Sequence, residues 1–195
     1  NYEIGLKSHW LANTLRLYAN LYQIEWENQG MTVSGTALQR NGTPFVNTYT
    51  VNVGETRIRG FELEGQWLFA PGWMGSLVYA FTDSVIKDFY SADQADLMSN
   101  AANPNPNADD PLASVAGHKS PFVPRNKATI GLAYSTEFSN GWDFDANWDT
   151  TYEGERYIQV HNLAKFGAST LSNFRLSVSP NDAWRITAYV NNVFD

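Results

Sequence analysis

Cysteine is absent from the 195-residue chain, which excludes disulfide frameworks, thiolate metal sites and cysteine nucleophiles together. Cations are few: 13 Lys and Arg against 20 Asp and Glu give a net charge of -7 and a pI near 4.9. No basic stripe appears, so nucleic acid is not an expected partner, because phosphate binding needs clustered Lys and Arg. One uncharged run has membrane length, GQWLFAPGWMGSLVYAFT at residues 65–82, but it carries three glycines and Pro71-Gly72 near its centre. It reads as two strands joined by a turn, not a bilayer helix. Asn1-Tyr2-Glu3 lacks the basic and apolar regions of a secretory leader, as expected of a processed protein or an internal piece of a longer one. Phosphate loops are missing too, since Gly54, Gly60 and Gly65 are spread through a strand pattern. Aromatics are abundant: seven Trp, ten Tyr and eleven Phe make 14% of the chain. A mean hydropathy of -0.37 indicates neither disorder nor helical embedding, and transmembrane barrels give little bulk signal because half of each strand is polar.

Eight strand-length runs of period two are present and no run of period 3.6 competes with them. They span Tyr2 to Trp10, Thr14 to Glu27, about Thr48 to Phe69, Met74 to Asp83, Lys127 to Phe138, Trp142 to Tyr152, Thr170 to Ser179 and Trp184 to Phe194. In the third, Glu62 and Glu64 alternate with Phe61 and Leu63; in the sixth, Asp143, Asp145, Asn147 and Asp149 alternate with Trp142, Phe144, Ala146 and Trp148. Such alternation means one apolar face and one polar face. In a soluble sandwich Phe61 and Leu63 point into a core. In an outer-membrane barrel the carboxylates line a wet lumen and the apolar side chains meet lipid.

The connections discriminate between these. Turn formers mark short links at residues 10–13, 70–73, 139–141 and 179–183, while long polar segments fill 28–47, 84–126 and 153–169. Strict alternation of short and long is the plan of up-and-down outer-membrane barrels, whereas Greek-key sandwiches scatter their long connections. Trp10, Trp26, Trp67, Trp73, Trp142 and Trp184 fall near turns or rims, as an interfacial aromatic girdle requires. Arg57 and Arg59 share the parity of Phe61, so either they lie above the bilayer or a bulge near Gly60 resets the register.

Several stretches resemble TonB-dependent outer-membrane receptors. NVGETRIRGFELEGQW is similar to the strand in which Asn-x-Gly leads into Arg-Gly-Val-Glu-Leu-Glu, with Phe61 in the Val place; LRLYANLYQIEW, YAFTDS, PRNKATIGLAY and AYVNNVFD resemble the same family in order. The resemblance covers nearly all of the chain outside the loops. It implies an all-β, antiparallel up-and-down transmembrane barrel, with residues 1–195 supplying about eight strands near the carboxy end of a barrel of about 22 closed by a plug that these residues do not include. It further implies the outer membrane of a Gram-negative bacterium and energy-coupled uptake of a scarce ligand such as an iron–siderophore complex. The implied partners are outer-membrane lipid, a plug domain, an inner-membrane energy-coupling protein and a small molecule. No cofactor is implied. The alternatives are a soluble β-sandwich binding module, or a small closed eight-stranded outer-membrane barrel with a structural or adhesive role.

On the barrel reading Glu62, Glu64, Asp143, Asp145, Asn147 and Asp149 face the lumen or plug. The loop tip NPNPNADD offers Asn103, Asn105, Asp109 and Asp110 as ligand contacts. The Asp143 to Asp149 series mimics the first ligands of a calcium loop, but Trp148 and Gly154 occupy the positions that need Gly and Glu. Four side chains on an extended strand also span roughly 20 Å, too far apart for one ion. His9, His118 and His161 lie apart, so no metal site is expected. The chain is not expected to be an enzyme, His161-Asn162 with Ser169 or Ser172 being the one loose nucleophile set.

Overall fold

The computed structural model describes residues 1–104, 110–181 and 183–194, with side chains placed at all of these except 31–38, 46–49, 51–53 and 181. In chain order the elements are β1 (Tyr2–Trp10), β2 (Leu15–Leu38), β3 (Pro44–Ala70), β4 (Trp73–Ile86), α1 (Ala92–Leu97), a single 3-10 turn (Pro111–Ala113), β5 (Asn126–Glu137), β6 (Asp143–Glu153), β7 (Arg156–Tyr157), β8 (Lys165–Phe166), β9 (Ser169–Asn181) and β10 (Trp184–Val190). Eight strands form one antiparallel sheet in the order β1-β2-β3-β4-β5-β6-β9-β10, each paired with the next of the eight along the chain; β7 and β8, which fall between β6 and β9, form a separate two-stranded hairpin. Neighbouring antiparallel strands joined in sequence are the up-and-down plan.

Cross-strand partners point to the same side, so the register assigns every residue to a face. One face gathers Ile4, Leu21, Phe61 and Phe81 in a row, then Leu6, Ala19, Leu63 and Tyr79, and continues through Ile130, Leu132, Trp148, Phe174 and Leu176 to Ile186. From the short turns up to the row of Leu21, Phe61 and Phe81 this face carries no Lys, Arg, Asp or Glu. Among the described residues nothing covers it: Leu6 is 63% exposed, Leu21 54%, Ile130 51% and Ile186 57%. A soluble sheet buries such a face, and here the buried apolar residues are Ile86, Phe89, Ala95, Ala113 and Val115, all at or beyond the end of β4. The soluble sandwich is therefore corrected, for want of a second layer among the described residues. The closed eight-stranded barrel is corrected as well, because β1 and β10 each pair on one side and the sheet stays open.

At the short-turn end the rings form a connected row. Trp67 and Phe69 lie 5.6 Å apart by centroid, Phe69 and Trp73 6.1 Å, Trp73 and Tyr134 4.6 Å, and Tyr134 and Phe144 6.4 Å. This is the girdle expected from tryptophan placement, built across β3 to β6. The turns beneath it are tight. Leu11, Ala12 and Asn13 take φ of 52°, 54° and 69°, a left-handed run that costs non-glycine residues.

One of the two accounts of Arg57 and Arg59 falls, leaving them above the apolar band, and one expectation about the connections changes. Register runs unbroken from Arg57 to Leu68, so no bulge at Gly60 rotates the arginines; the shift in β3 falls between Leu68 and Ala70. Gly60 serves a different purpose: a Cβ there would collide with the Tyr22 ring, which crosses it to meet Thr82 Oγ1 at 3.2 Å. Residues 28–47 are not a loop either. The ladder of β2 and β3 continues from Gln29↔Val53 to Leu38↔Pro44, leaving only 39–43 as the tip. The sequence of β2 alternates here too, Met31, Val33 and Ala37 against Thr32, Ser34 and Thr36, but with small and polar residues that leave the signal weak.

Candidate functional site: polar wall and loop cap

The face opposite the apolar one is a hydrogen-bonded polar wall. On β6, Asp143, Asp145, Asn147 and Asp149 occupy successive rows, opposite Glu137, Ser135, Ala133 and Gly131 of β5 and Ser179, Ser177, Arg175 and Asn173 of β9. Asp145 accepts a hydrogen bond from Ser135 Oγ at 2.8 Å and lies 3.7 Å from the Arg185 guanidinium. Asp149 accepts from Asn173 Nδ2 at 2.8 Å, and Arg185 Nε donates to Ser179 Oγ at 2.8 Å. The aspartates are thus spread up a strand, Asp145 and Asp149 each with its own partner, rather than converging. Among the described residues no three His, Asp or Glu side chains gather where a metal could sit.

Glu62 and Glu64 stand on the same wall, in the rows of Asn20 and Ala80 and of Tyr18 and Val78. Three strand spacings separate them from β6, about 14 Å. The two acidic groups therefore form separate patches of one surface. Their basic counterparts, Arg175 and Arg185, were not singled out in the sequence. Their parity on β9 and β10 was the signal available, since it places them opposite Asn147 and beside Asp145.

Beyond the ends of the strands, the two long connections pack into a cap with its own small core of Ile86, Phe89 and Val115, against which Val160 packs. α1 begins at Ser91, whose hydroxyl accepts from the Gln94 amide. The later connection is tied across to the earlier one. Asn162 Oδ1 accepts from the Lys119 amide at 2.6 Å, and Asn162 Nδ2 donates to the Lys119 carbonyl at 2.9 Å. His118 Nδ1 meets the Val160 carbonyl at 2.8 Å, and His161 Nδ1 meets Gln94 Oε1 at 3.0 Å. Burial holds the His161 imidazole below its ordinary pKa, His118 acting in the same direction and Asp93 opposing. These contacts occupy His161 and Asn162, while the Ser172 hydroxyl pairs with Thr150 at 2.7 Å. Between the cap and the middle of β2 and β3, beside the end of β4, lies a cavity of about 430 Å³ whose lining includes Gln29, Thr56, Ser84, Asp93, Ser120 and His161.

Of the loop-tip residues, Asn103 donates to Asp110 Oδ2 at 2.7 Å, and Asp110 Oδ1 accepts from the Leu112 amide at 2.9 Å as the cap of the 3-10 turn. Asn105 and Asp109 lie outside the described residues.

An open arc of antiparallel up-and-down strands, bare and apolar on one side and hydrogen-bonded on the other, defines a transmembrane barrel segment. The family model described as TonB dependent receptor-like, beta-barrel matches residues 1–193, and the chain belongs to that family, whose members are outer-membrane receptors. Among solved structures it is similar to BauA, the ferric preacinetobactin receptor from Acinetobacter baumannii, at 17% identity and a TM-score of 0.63, covering 98% of this chain and 24% of that one. It is similar to the siderophore receptor PiuA from Acinetobacter baumannii at 20% identity and a TM-score of 0.65, covering 98% and 23%. The ferric-catecholate import receptor Fiu from K12 E. coli matches at 19% identity and a TM-score of 0.61, covering 99% and 23%. The chain thus spans about a quarter of the length of these structures. No curated protein matches it by sequence.

Proposed function

We propose that residues 1–195 form part of the barrel domain of an active-transport receptor in the outer membrane of a Gram-negative bacterium. The receptor takes up a scarce ligand such as an iron–siderophore complex. The observation that carries this reading is the charge-free, uncovered apolar face maintained across eight strands, backed by a wall of paired polar groups. Lipid satisfies the first and water the second. Glu62, Glu64, Asp143, Asp145, Asn147 and Asp149 then line the lumen and meet a plug domain, and an inner-membrane energy-coupling protein drives its movement. The cap over the 430 Å³ cavity, with the tip bearing Asn103, Asn105, Asp109 and Asp110, receives the ligand. Nothing in the scheme is catalytic. The family and the naming of BauA, PiuA and Fiu as siderophore or iron-chelate receptors support the ligand class. The test is uptake of radioactive iron–siderophore complexes by cells that do or do not express the full-length receptor. Receptor-dependent accumulation that a protonophore abolishes is the expected result; accumulation insensitive to the protonophore removes energy coupling, and none for any iron chelate removes the ligand class.

A further inference from the structure

We propose that the cavity beneath the cap selects chelates without negative charge, so that the receptor takes iron in an uncharged hydroxamate shell and rejects the trianionic tris-catecholate complex. The inference rests on the reading of an iron-chelate receptor. The cavity opens on the polar-wall side of the sheet. Trp26, Thr56 and Ile86 share one register row there and Ile24, Ile58 and Ser84 the next, on the face opposite Arg57 and Arg59. The polar lining is hydroxyl and amide, from Thr56, Ser84, Ser91, Ser120, Gln29 and Gln159. Such groups both donate to and accept from the carbonyl and N–O groups of a neutral ligand. Among the described residues no Lys or Arg lines the cavity, and its one carboxylate is Asp93. His161 brings no positive charge at neutral pH, because burial holds its pKa below the ordinary 6.5.

The neighbouring cations are engaged elsewhere. Lys119 binds Asp83 at 2.5 Å and the Arg125 guanidinium stands over the Phe81 ring, both on the lipid-facing side. Arg156 pairs with Glu153 at 3.3 Å and lies over Phe166, while Lys165 pairs with Glu155 at 2.5 Å. A trianion entering the cavity therefore sheds water, meets a carboxylate and gains no cation to offset either, a penalty that a neutral complex of the same size escapes. Hydroxamates are monoanions that as a set cancel the charge of iron(III), whereas catecholates are dianions that leave an excess. Two rings suit the apolar periphery of the neutral complex: Trp26, 48% exposed, and Phe122, 60% exposed, both line the cavity. Phe122 holds a φ of 61°, a left-handed conformation that a bulky residue keeps only where its surroundings impose it, and its amide donates to the Tyr157 carbonyl at 2.8 Å. The strained backbone keeps this ring at the cavity and out of the cap core of Ile86, Phe89 and Val115.

The experiment is isothermal titration of the full-length receptor in detergent, at neutral pH, with a neutral iron(III) trihydroxamate and a trianionic iron(III) tris-catecholate. The wild type should bind the neutral chelate more tightly, by at least about tenfold. Asp93→Lys should erase or reverse that preference by strengthening the trianion. Asp93→Asn, which keeps the shape of the side chain, should shift it the same way by a smaller factor and decides the matter if the lysine variant does not assemble. Phe122→Gly relieves the backbone and removes the ring, and should weaken the neutral chelate about tenfold without lowering the unfolding midpoint. Equal or tighter binding of the tris-catecholate by the wild type, a preference unmoved by either Asp93 variant, or unchanged affinity in Phe122→Gly would overturn the proposal and leave the iron-chelate reading intact. Binding of neither chelate by a receptor that heat-modifiability shows to be folded sinks that reading, and the charge selectivity with it.

Discussion

Replacing Ile130 with lysine puts the lipid-facing assignment at risk most directly. Ile130 sits on β5, four residues from Tyr134 in the aromatic row and four from Asn126 at the start of the strand, with Leu77 and Thr150 as register partners. Four residues of tilted strand place it about 10 Å above the girdle, near the middle of a band about 25 Å tall. An ammonium at that depth costs about 2–4 kcal/mol. Its neighbour Thr129 points to the other side and shares a hydrogen bond with Thr151 at 2.9 Å. Thr129→Lys keeps its charge in water and forfeits about 1 kcal/mol for that bond. Reversible urea unfolding of the full-length receptor in liposomes, with the heat-modifiable fraction on gels as a second readout, should show Ile130→Lys as the more damaging of the two by at least about 1 kcal/mol. Equal unfolding midpoints, or a worse result for Thr129→Lys, would refute the face assignment and the membrane orientation built on it.

Gly60→Val drives a branched side chain into the Tyr22 ring and should cost about 1–3 kcal/mol by overpacking, visible in the same unfolding assay. Ala12→Gly relieves the middle of the left-handed turn and should raise stability by up to about 1 kcal/mol; a loss would show that the turn carries no such strain. The cap should respond to acid. Because burial depresses the His161 pKa from 6.5, the folded cap binds fewer protons than the unfolded segment, so the contribution of His161 is present above about pH 6.5 and is lost as pH falls through the folded value. Amide exchange over residues 156–166, corrected for its intrinsic pH dependence, should quicken on acidification, and His161→Gln should flatten that profile; a flat wild-type profile contradicts the mechanism.

The strands inside the bilayer were legible because their environment imposes period two on the sequence. Tyr2–Trp10 is delimited to the residue, and β4, β5, β6 and β9 to within about three. Where that constraint ends, legibility ends. Residues 28–38 alternate only weakly, Met31, Val33 and Ala37 against Thr32, Ser34 and Thr36, and turn formers at Asn41-Gly42 and Pro44 mask the hairpin, yet their backbone pairs with β3 up to Leu38↔Pro44. Six residues of α1 are too few to show a helical period, and the two-residue strands β7 and β8 leave none at all. The acidic residues of the polar wall could be placed on one face by parity, but their partners could not. Asp145 meets Arg185 across two strand pairings whose register no single strand encodes. Asn162, which ties the two long connections, carries no pattern, because its neighbour Lys119 is 43 residues away in sequence.

Among the described residues the buried apolar side chains lie in the cap and at the end of β4, while those buried within the sheet are polar, such as Thr56, Ser172 and Ser177. Such a molecule is assembled in two solvents. The cap can condense wherever there is water, on the strength of Ile86, Phe89 and Val115, but the wall reaches its energy minimum only after hydrocarbon has taken the place of a missing second layer. Until then the greasy side stands open to water, and delay at that step leaves a finished lid on an unfinished vessel.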